Sequence, residues 1–281
     1  MSKIMSAKMP HTITKTIKNG IEHITYTPHE KRFETPILFQ HGMWHGAWCW
    51  WLWQELLAEW GWENTSISLP GHGESPLQRP LRFATLSYYL QFLKTAVDDM
   101  PQKPILIGHS MGGALTQWYL KYYGDLPAAV LVAPWVSHSA LKDSMIQLLK
   151  LDVIGMSIGF LTLSANPWVR SPQAAAQKLI SKNAVISPEA LYDKLGGESL
   201  IVTWQHNPPF WFPAKQVNTP MLWLAGEKDV LITEKAERRS AQHYGADFHV
   251  ISEAGHNLMM EHNYQDTAQL VHDWLSKQNI N

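Results

Sequence analysis

Ser110 is the side chain whose setting most resembles that of a nucleophile. It lies in Gly108-His109-Ser110-Met111-Gly112, directly after the apolar run "PILI" (104–107) and before "GALTQWYLKYY" (113–123), which has the pattern of a helix. A serine hydroxyl is a poor nucleophile at neutral pH, so a protein that uses one must expose its oxygen and place a base beside it. A sharp turn from strand end to helix start does the exposing. At such a turn the serine backbone is strained, and the residues two before and two after approach so closely that a Cβ would clash. Gly108 and Gly112 meet that demand. The first amides of the following helix gather partial positive charge above the hydroxyl, where an oxyanion could be held.

Other reactive residue types point elsewhere. The single cysteine, Cys49, excludes an internal disulfide and a Cys-rich zinc site, and its neighbours in "GAWCWW" mark it as a packed small hydrophobe. His41 and His45 are four apart, as zinc ligands on a helix would be. Gly42 and a strand end lie there instead, with no glutamate as in His-Glu-x-x-His, so no metal is expected. His72 and His109 are expected in loops beside the site, tuning it without taking part.

The elements needed to hold Ser110 follow from periodicity. "TITKTIK" and "IEHITYTP" flank Asn19-Gly20, which predicts an antiparallel hairpin with a two-residue turn. The runs "PILFQ", "NTSISL", "PILIG", "AAVLVAP" and "PMLWLAG" are apolar almost throughout, as parallel strands buried on both faces are. Between and after them, "AWCWWLWQELLAEW", "TLSYYLQFLKTAV", "ALTQWYLKYY", "TEKAERRSAQHY" and "DTAQLVHDWLSK" read as helices. Strand and helix in alternation predict an α/β fold with a mostly parallel, doubly wound sheet.

The rhythm breaks between Pro134 and Pro220, where "SALKDSMIQLLK", "SPQAAAQKLI" and "SPEALYDKLGG" carry helix-start signals. This predicts a helical cap, residues 136–216, inserted after the sixth strand into a core formed by 1–135 and 217–281. Val153 to Leu163 is apolar but too short to span a bilayer, and its Gly155 and Gly159 are read as cap packing in preference to a lipid-touching lid.

Composition limits the partners. Lys plus Arg number 23 against 24 Asp plus Glu, so no basic field is available to hold nucleic acid or an acidic membrane surface. "MSKIMSAKMPHTITK" has no apolar core of a secretory signal, which makes a cytoplasmic location the default expectation. Of fourteen tryptophans, seven lie between Trp44 and Trp62, most of them expected to be packing bulk and one or two to line a pocket. The sequence assigns no oligomeric state.

The nucleophile turn and its context resemble the α/β-hydrolase superfamily, and the resemblance runs from about residue 20 to 277. It implies the chain order serine, acid, histidine. Asp229 in "LAGEKDVL" and His256 in "ISEAGHNLMME" match that family's Gly-x-x-Asp and Gly-His motifs, with Glu227 and Glu253 as rival carboxylates. It further implies an oxyanion hole from the amide of Met111 and one in "FQHGMWHG", mapped to Met43 with Trp44 as the alternative. "SLPGHGES" resembles a loop that gives the site its shape.

The resemblance implies a cofactor-free serine hydrolase acting on a small-molecule ester with water. A serine nucleophile argues against the aspartate-dependent epoxide hydrolases and haloalkane dehalogenases. "GHSMGG" resembles the esterase, monoacylglycerol lipase and lysophospholipase branch, while "HGMWHGAWCW" resembles the opening of plant-type esterases and hydroxynitrile lyases. Trp44, Trp135 and Leu231 are expected to touch substrate. Met145, Leu148, Leu149, Met156, Phe160, Leu161 and Trp168 would give the cap an apolar lining suited to a short or medium acyl chain. The same triad serves carbon–carbon hydrolases, aminopeptidases and cofactor-free haloperoxidases, and the fold also serves non-catalytic sensors.

Overall fold

The computed structural model describes residues 10–138, 149–278 and 280. Eight strands form one sheet in the order β1-β2-β4-β3-β5-β6-β7-β8. Strands β1 (His11–Lys18) and β2 (Ile21–Pro28) pair antiparallel around Asn19 and Gly20, which take φ of 51° and 78°. Two successive positive φ values are what a type I′ hairpin turn requires. β2 joins β4 (Trp62–Ser68) antiparallel, and from there all pairs are parallel: β4 with β3 (Phe33–Gln40), then β5 (Ile105–His109), β6 (Ala129–Val132), β7 (Met221–Gly226) and β8 (Asp247–Ile251). The two hairpin strands and the five strands read from the runs are all present, and β8, half-exposed along its length, is added to them at the sheet edge.

Every residue of β5, β6 and β7 is buried, as expected of strands covered on both faces. The covering helices are α1 (Trp51–Glu59), α2 (Leu86–Asp98), α3 (Met111–Tyr123) and, after the insertion, α8 (Glu234–Tyr244) and α9 (Tyr264–Ser276). α1 packs against α9 and α2 against α3. Trp50, Trp53 and Trp62 are fully buried, and Trp62 stacks on Phe33 at 3.8 Å, so much of the tryptophan cluster is core bulk. Thr85 and Thr233 cap α2 and α8, their side-chain oxygens accepting from Tyr88 and Ala236 amides.

Register decides where the loops gather. Gln40 pairs with Gly108, His109 with Val132, Val132 with Leu224, and Gly226 with Ile251. The carboxyl ends of β3, β5, β6, β7 and β8 therefore form one rim. β3 leads to β4 on one side while β5 lies on its other side, so the winding reverses between β3 and β5. Ligands of open α/β sheets bind at that kind of crevice.

Between β6 and β7 the described residues hold four short helices: α4 (Val153–Thr162), α5 (Pro172–Leu179), α6 (Pro188–Tyr192) and α7 (Ile201–Gln205). Ser171 and Ser187 cap α5 and α6 with proline at the first turn, as their sequence signals predict. Most of "SALKDSMIQLLK", with Met145 and Leu148, lies outside the described residues. Met156 and Trp168 are buried, whereas Leu149, Phe160 and Leu161 are exposed, Leu161 at 85%.

The segment between β6 and β7 is tied to the rim by polar contacts. Buried Glu198 accepts from Tyr89 Oη (2.9 Å) and lies 3.1 Å from His72 Nε2, which joins it to the "PGHG" loop. Gly196 N–H donates to the Trp44 carbonyl (2.7 Å), and the Asn257 N–H donates to the Leu179 carbonyl (2.8 Å). Ordering these separate segments demands such bonds, since a buried backbone group without a partner is costly.

Candidate active site

Ser110 forms the tip of the turn between β5 and α3, with φ 52° and ψ −115°. A non-glycine residue held there costs on the order of 1–3 kcal/mol, offset by the surroundings that impose it. Its N–H donates to the Val132 carbonyl (3.1 Å), and its own carbonyl accepts from Ala114 and Trp135 amides (both 3.2 Å). Neighbouring side chains are absent where they would collide. A Cβ on Gly108 would lie 2.5 Å from the Gly112 carbonyl oxygen, and one on Gly112 would run into the carbonyl oxygens of Gln40 and His41. On the facing loop, a Cβ on Gly42 would come within 2.9 Å of Ser110 Cβ. Glycine at these places is a condition of bringing the β3 loop against the serine.

The acid and the histidine meet on the same rim. Asp229, three residues past β7, uses Oδ1 to accept from the Leu231 and Ile232 amides (2.7 and 3.1 Å). This leaves Oδ2 for His256 Nδ1, 2.7 Å away, with the two side chains 0% and 2% exposed. An ionised carboxylate only accepts, so Nδ1 carries the proton and Nε2 is left with a free lone pair. Among the described residues neither Nε2 of His256 nor the Ser110 hydroxyl has a hydrogen-bond partner, and no bond joins the two. Their loops do adjoin: His109 lies 4.8 Å from His256 ring to ring, and its Nε2 is 3.2 Å from the His256 carbonyl oxygen.

The rival carboxylates are engaged elsewhere. Glu227 accepts from the Glu253 amide (2.8 Å) and Ser252 Oγ (3.1 Å), and these bonds, with Lys228, hold its exposed carboxyl below the usual range. Glu253 pairs with Lys228 at 3.0 Å. Glu237 of α8 is fully buried behind Asp229, and burial together with the charge of Asp229 pushes its carboxyl well above the ordinary range.

Three amides in the loops flanking Ser110, those of Met43, Trp44 and Met111, have no hydrogen-bond acceptor among the described residues. Met43, Trp44 and Met111 are all buried, at 4%, 4% and 0%. Met111 opens α3, and the first N–H groups of a helix have no acceptor within it.

Around them lie histidines that stay neutral. Burial, reinforced by His72, drives His41 well below its usual pKa, and burial with His256 and His45 does the same to His109. Burial takes His45 down to about 4, against the opposing pull of its bond to the Met43 carbonyl. His41 spends Nδ1 on the Gly42 carbonyl (2.7 Å) and Nε2 on the Leu69 amide (3.0 Å). His45 spends Nδ1 on the Met43 carbonyl (2.7 Å) and Nε2 on Asn257 Nδ2 (3.0 Å). In this arrangement neither ring has a nitrogen to offer a metal.

Of the expected substrate contacts, Trp44 is buried edge-on to Trp168, with ring centres 6.2 Å apart. Trp135 and Leu231 are half-buried and share an apolar cluster with Val136, Ile232 and Ala236 beside the Asp229 turn. Asn257 and Glu261 were not singled out from sequence. Glu261 accepts from the Gly255 amide (3.0 Å), the Ser181 amide (2.8 Å) and the Ser181 hydroxyl, bracing the His256 loop against the insertion. Nothing in their local sequence marks them, because their roles depend on residues 80 and 212 positions away.

A sheet wound in this order, with an elbow serine and a buried Asp–His pair at the carboxyl rim, is the architecture of the α/β hydrolases. The model of the Alpha/beta hydrolase family matches residues 37–270, and the chain belongs to that family. The chain is 35% identical over 99 residues to a pFDCC methylesterase from Arabidopsis thaliana, a match covering 34% of this chain and 37% of that protein. It is 31% identical over 123 residues to a pheophorbidase from Raphanus sativus, covering 41% and 46%. These matches span less than half of each relative. Methylesterase 10 from Arabidopsis thaliana is similar over 86% of this chain and 92% of its own length, at 26% identity.

Among solved structures, a thermophilic esterase from Thermogutta terrifontis superposes with a TM-score of 0.68 over 95% of this chain and 99% of that one, at 18% identity. A monoacylglycerol lipase from Paleococcus ferrophilus gives 0.67 over 92% and 99%, at 20% identity. At these identities the likeness concerns the fold. No helix of the described residues is long and apolar enough to cross a membrane.

Proposed function

We propose that this protein is a serine hydrolase of carboxylic esters, with Ser110 as nucleophile, His256 as base and Asp229 as its orienting acid. The observation that carries the reading is the Asp229–His256 bond of 2.7 Å, made by a carboxylate whose other oxygen is already saturated by two amides. That arrangement sets the tautomer in which Nε2 can accept the proton of a serine hydroxyl. A substrate carbonyl above Ser110 would receive Oγ as Oγ–H passes its proton to Nε2. The oxyanion would be held by the Met111 amide and the amide of Met43. Collapse of the tetrahedral species expels the alcohol with the proton from His256, and water then cleaves the acyl-enzyme with His256 as base. The unbonded Ser110 hydroxyl and His256 Nε2 are compatible with this role, because catalytic hydrogen bonds can form only around bound substrate.

Residues 136–216 act as a cap over this rim, and Trp44, Trp135 and Leu231 line the acyl or alcohol side. The methylesterase relatives support a small alcohol leaving group, and the apolar surroundings support a short or medium acyl part. No cofactor is required by this chemistry. The test is labelling by a fluorophosphonate probe alongside hydrolysis of p-nitrophenyl acetate and a panel of methyl esters. Wild type should label and turn over, and Ser110→Ala should lose the label and about 10⁴- to 10⁶-fold of kcat. A folded wild type that refuses the probe would instead fit a non-catalytic sensor.

A further inference from the structure

His45 has no part in the steps above, yet it is 1% exposed, and both ring nitrogens are committed to the two loops that frame the reaction centre. The Met43 carbonyl can only accept, so Nδ1 of His45 bears the proton. Nε2 then takes a hydrogen from Asn257 Nδ2. Asn257 follows His256 directly and is itself fully buried, with its backbone N–H on the Leu179 carbonyl. A continuous path of bonds thus runs from the Met43 carbonyl through His45 to the residue beside His256.

The bond to Met43 matters because of the turn it holds. Residues 42–45 close on a His45 N–H to Gly42 carbonyl contact of 3.4 Å, and the third residue, Trp44, has φ 63°. A positive φ at that place is the type II form, which favours glycine and strains a tryptophan. Rotating the Met43–Trp44 peptide by half a turn would give the type I form and relieve Trp44. It would also swing the Met43 carbonyl to the side now occupied by the Trp44 N–H. The strained form survives because His45 holds the carbonyl from one side, while Gly196 N–H binds the Trp44 carbonyl at 2.7 Å from the insertion.

We propose that His45, kept in its Nδ1–H tautomer by Asn257, is a positioning residue that locks the Met43–Trp44 peptide so that the Trp44 N–H, and not the Met43 carbonyl, faces the oxyanion beside the Met43 amide of the preceding peptide. The proposal rests on the serine hydrolase reading for its effect on rate. Its effect on the histidine itself is independent of that reading.

The experiment compares His45→Ala, His45→Asn, His45→Gln and Asn257→Ala with wild type on p-nitrophenyl acetate, together with inhibition by a phenylboronic acid, whose serine adduct places an oxygen where the oxyanion would be. Asparagine puts its side-chain N–H where Nδ1 was, whereas glutamine reaches only to the Nε2 position. Deleting an oxyanion donor outright costs about 10²- to 10³-fold in kcat. A donor loosened and not deleted should cost about 10- to 100-fold in His45→Ala, with KM changed less than about threefold and boronate affinity falling in step with kcat. His45→Asn should recover most of that loss and His45→Gln should not. Folded His45→Ala at wild-type kcat, or His45→Asn no better than His45→Ala, would overturn the proposal. If the alanine variant does not fold, imidazole ¹⁵N shifts of wild type decide the matter: a protonated Nδ1 and bare Nε2 at His45 support the lock, and the opposite tautomer refutes it. Wild type inactive on every ester defeats the hydrolase reading alone, and the ¹⁵N measurement still judges His45.

Discussion

Replacing Asp229 by asparagine should disable the protein without unfolding it, and the reason lies in how its two oxygens are used. Oδ1 serves two backbone donors, Leu231 and Ile232, which accept no substitute for an oxygen. The asparagine must therefore keep its carbonyl oxygen toward those amides and turn its NH₂ toward His256. An NH₂ opposite Nδ1 forces that nitrogen to be the acceptor and moves the ring proton to Nε2, the nitrogen needed to take the serine proton. The imidazolium that forms during reaction also loses its anionic neighbour. Enforcing the wrong tautomer in this way costs about 10⁴-fold in kcat, or about 5.4 kcal/mol of barrier at 1.36 kcal/mol per decade. Steady-state hydrolysis of p-nitrophenyl acetate, with thermal melting as the control for folding, measures it. Glu227→Gln supplies the contrast, because Glu227 is 41% exposed and bound to the Glu253 turn, and should stay within about threefold of wild type. A folded Asp229→Asn within tenfold of wild type, or a larger loss in Glu227→Gln, would refute the assignment of the acid.

Two further outcomes concern stability. His45 and His206 are buried neutral with pKa values taken down to about 4 and about 3, in both cases chiefly by burial, whereas in the unfolded chain they titrate near 6.5. Below about 6.5 the unfolded state binds protons that the folded state refuses, so the stabilisation present at neutral pH is lost progressively down to the folded values. From pH 7 to 5.5 each contributes a loss of about 1.2 kcal/mol, roughly 2.5 kcal/mol for the two; His41 and His109, also held neutral by burial, act in the same direction, so urea unfolding at the two pH values should read at least this loss, and unchanged stability would mean these rings are not buried as described. Gly112→Ala should cost about 3 kcal/mol or prevent folding, since its Cβ would meet the backbone oxygens of Gln40 and His41, which a rotamer change cannot move aside; wild-type melting would show that β3 and the elbow are not in contact.

Much of the architecture was legible because it rests on local rules. Continuous apolar runs announced four of the five central parallel strands, the fifth, β4, was read from "NTSISL" with only Ile67 and Leu69 apolar, and Asn19-Gly20 announced the hairpin. Ser-Pro pairs announced the starts of α5 and α6. The helix pattern at 47–60 was right in place and incomplete in kind: residues Ala47–Trp50 form a 3₁₀ turn before α1. At its start the Ala47 amide donates to Ser68 Oγ at 2.7 Å, a tie to the end of β4 that the local sequence does not show. Composition also flagged the apolar residues of 149–168 as a group, but not which would be covered. Met156 and Trp168 are inside and Leu161 outside, a distinction made by neighbouring segments distant in sequence.

What the chain determined by itself is therefore the order of elements and the glycine-flanked serine, since strand burial, turn conformation and helix initiation are settled within a few residues. The Gly-x-x-Asp resemblance favoured Asp229 over Glu227, but only the folded structure shows the physical ground: the amides of Leu231 and Ile232 orient Asp229 toward His256, and the Glu253 turn claims Glu227. The same holds for His45. Read along the chain it is one histidine among fourteen. Burial strips its charge, and hydrogen bonds to the Met43 carbonyl and from Asn257 leave one tautomer, a choice that exists only when those segments are packed together.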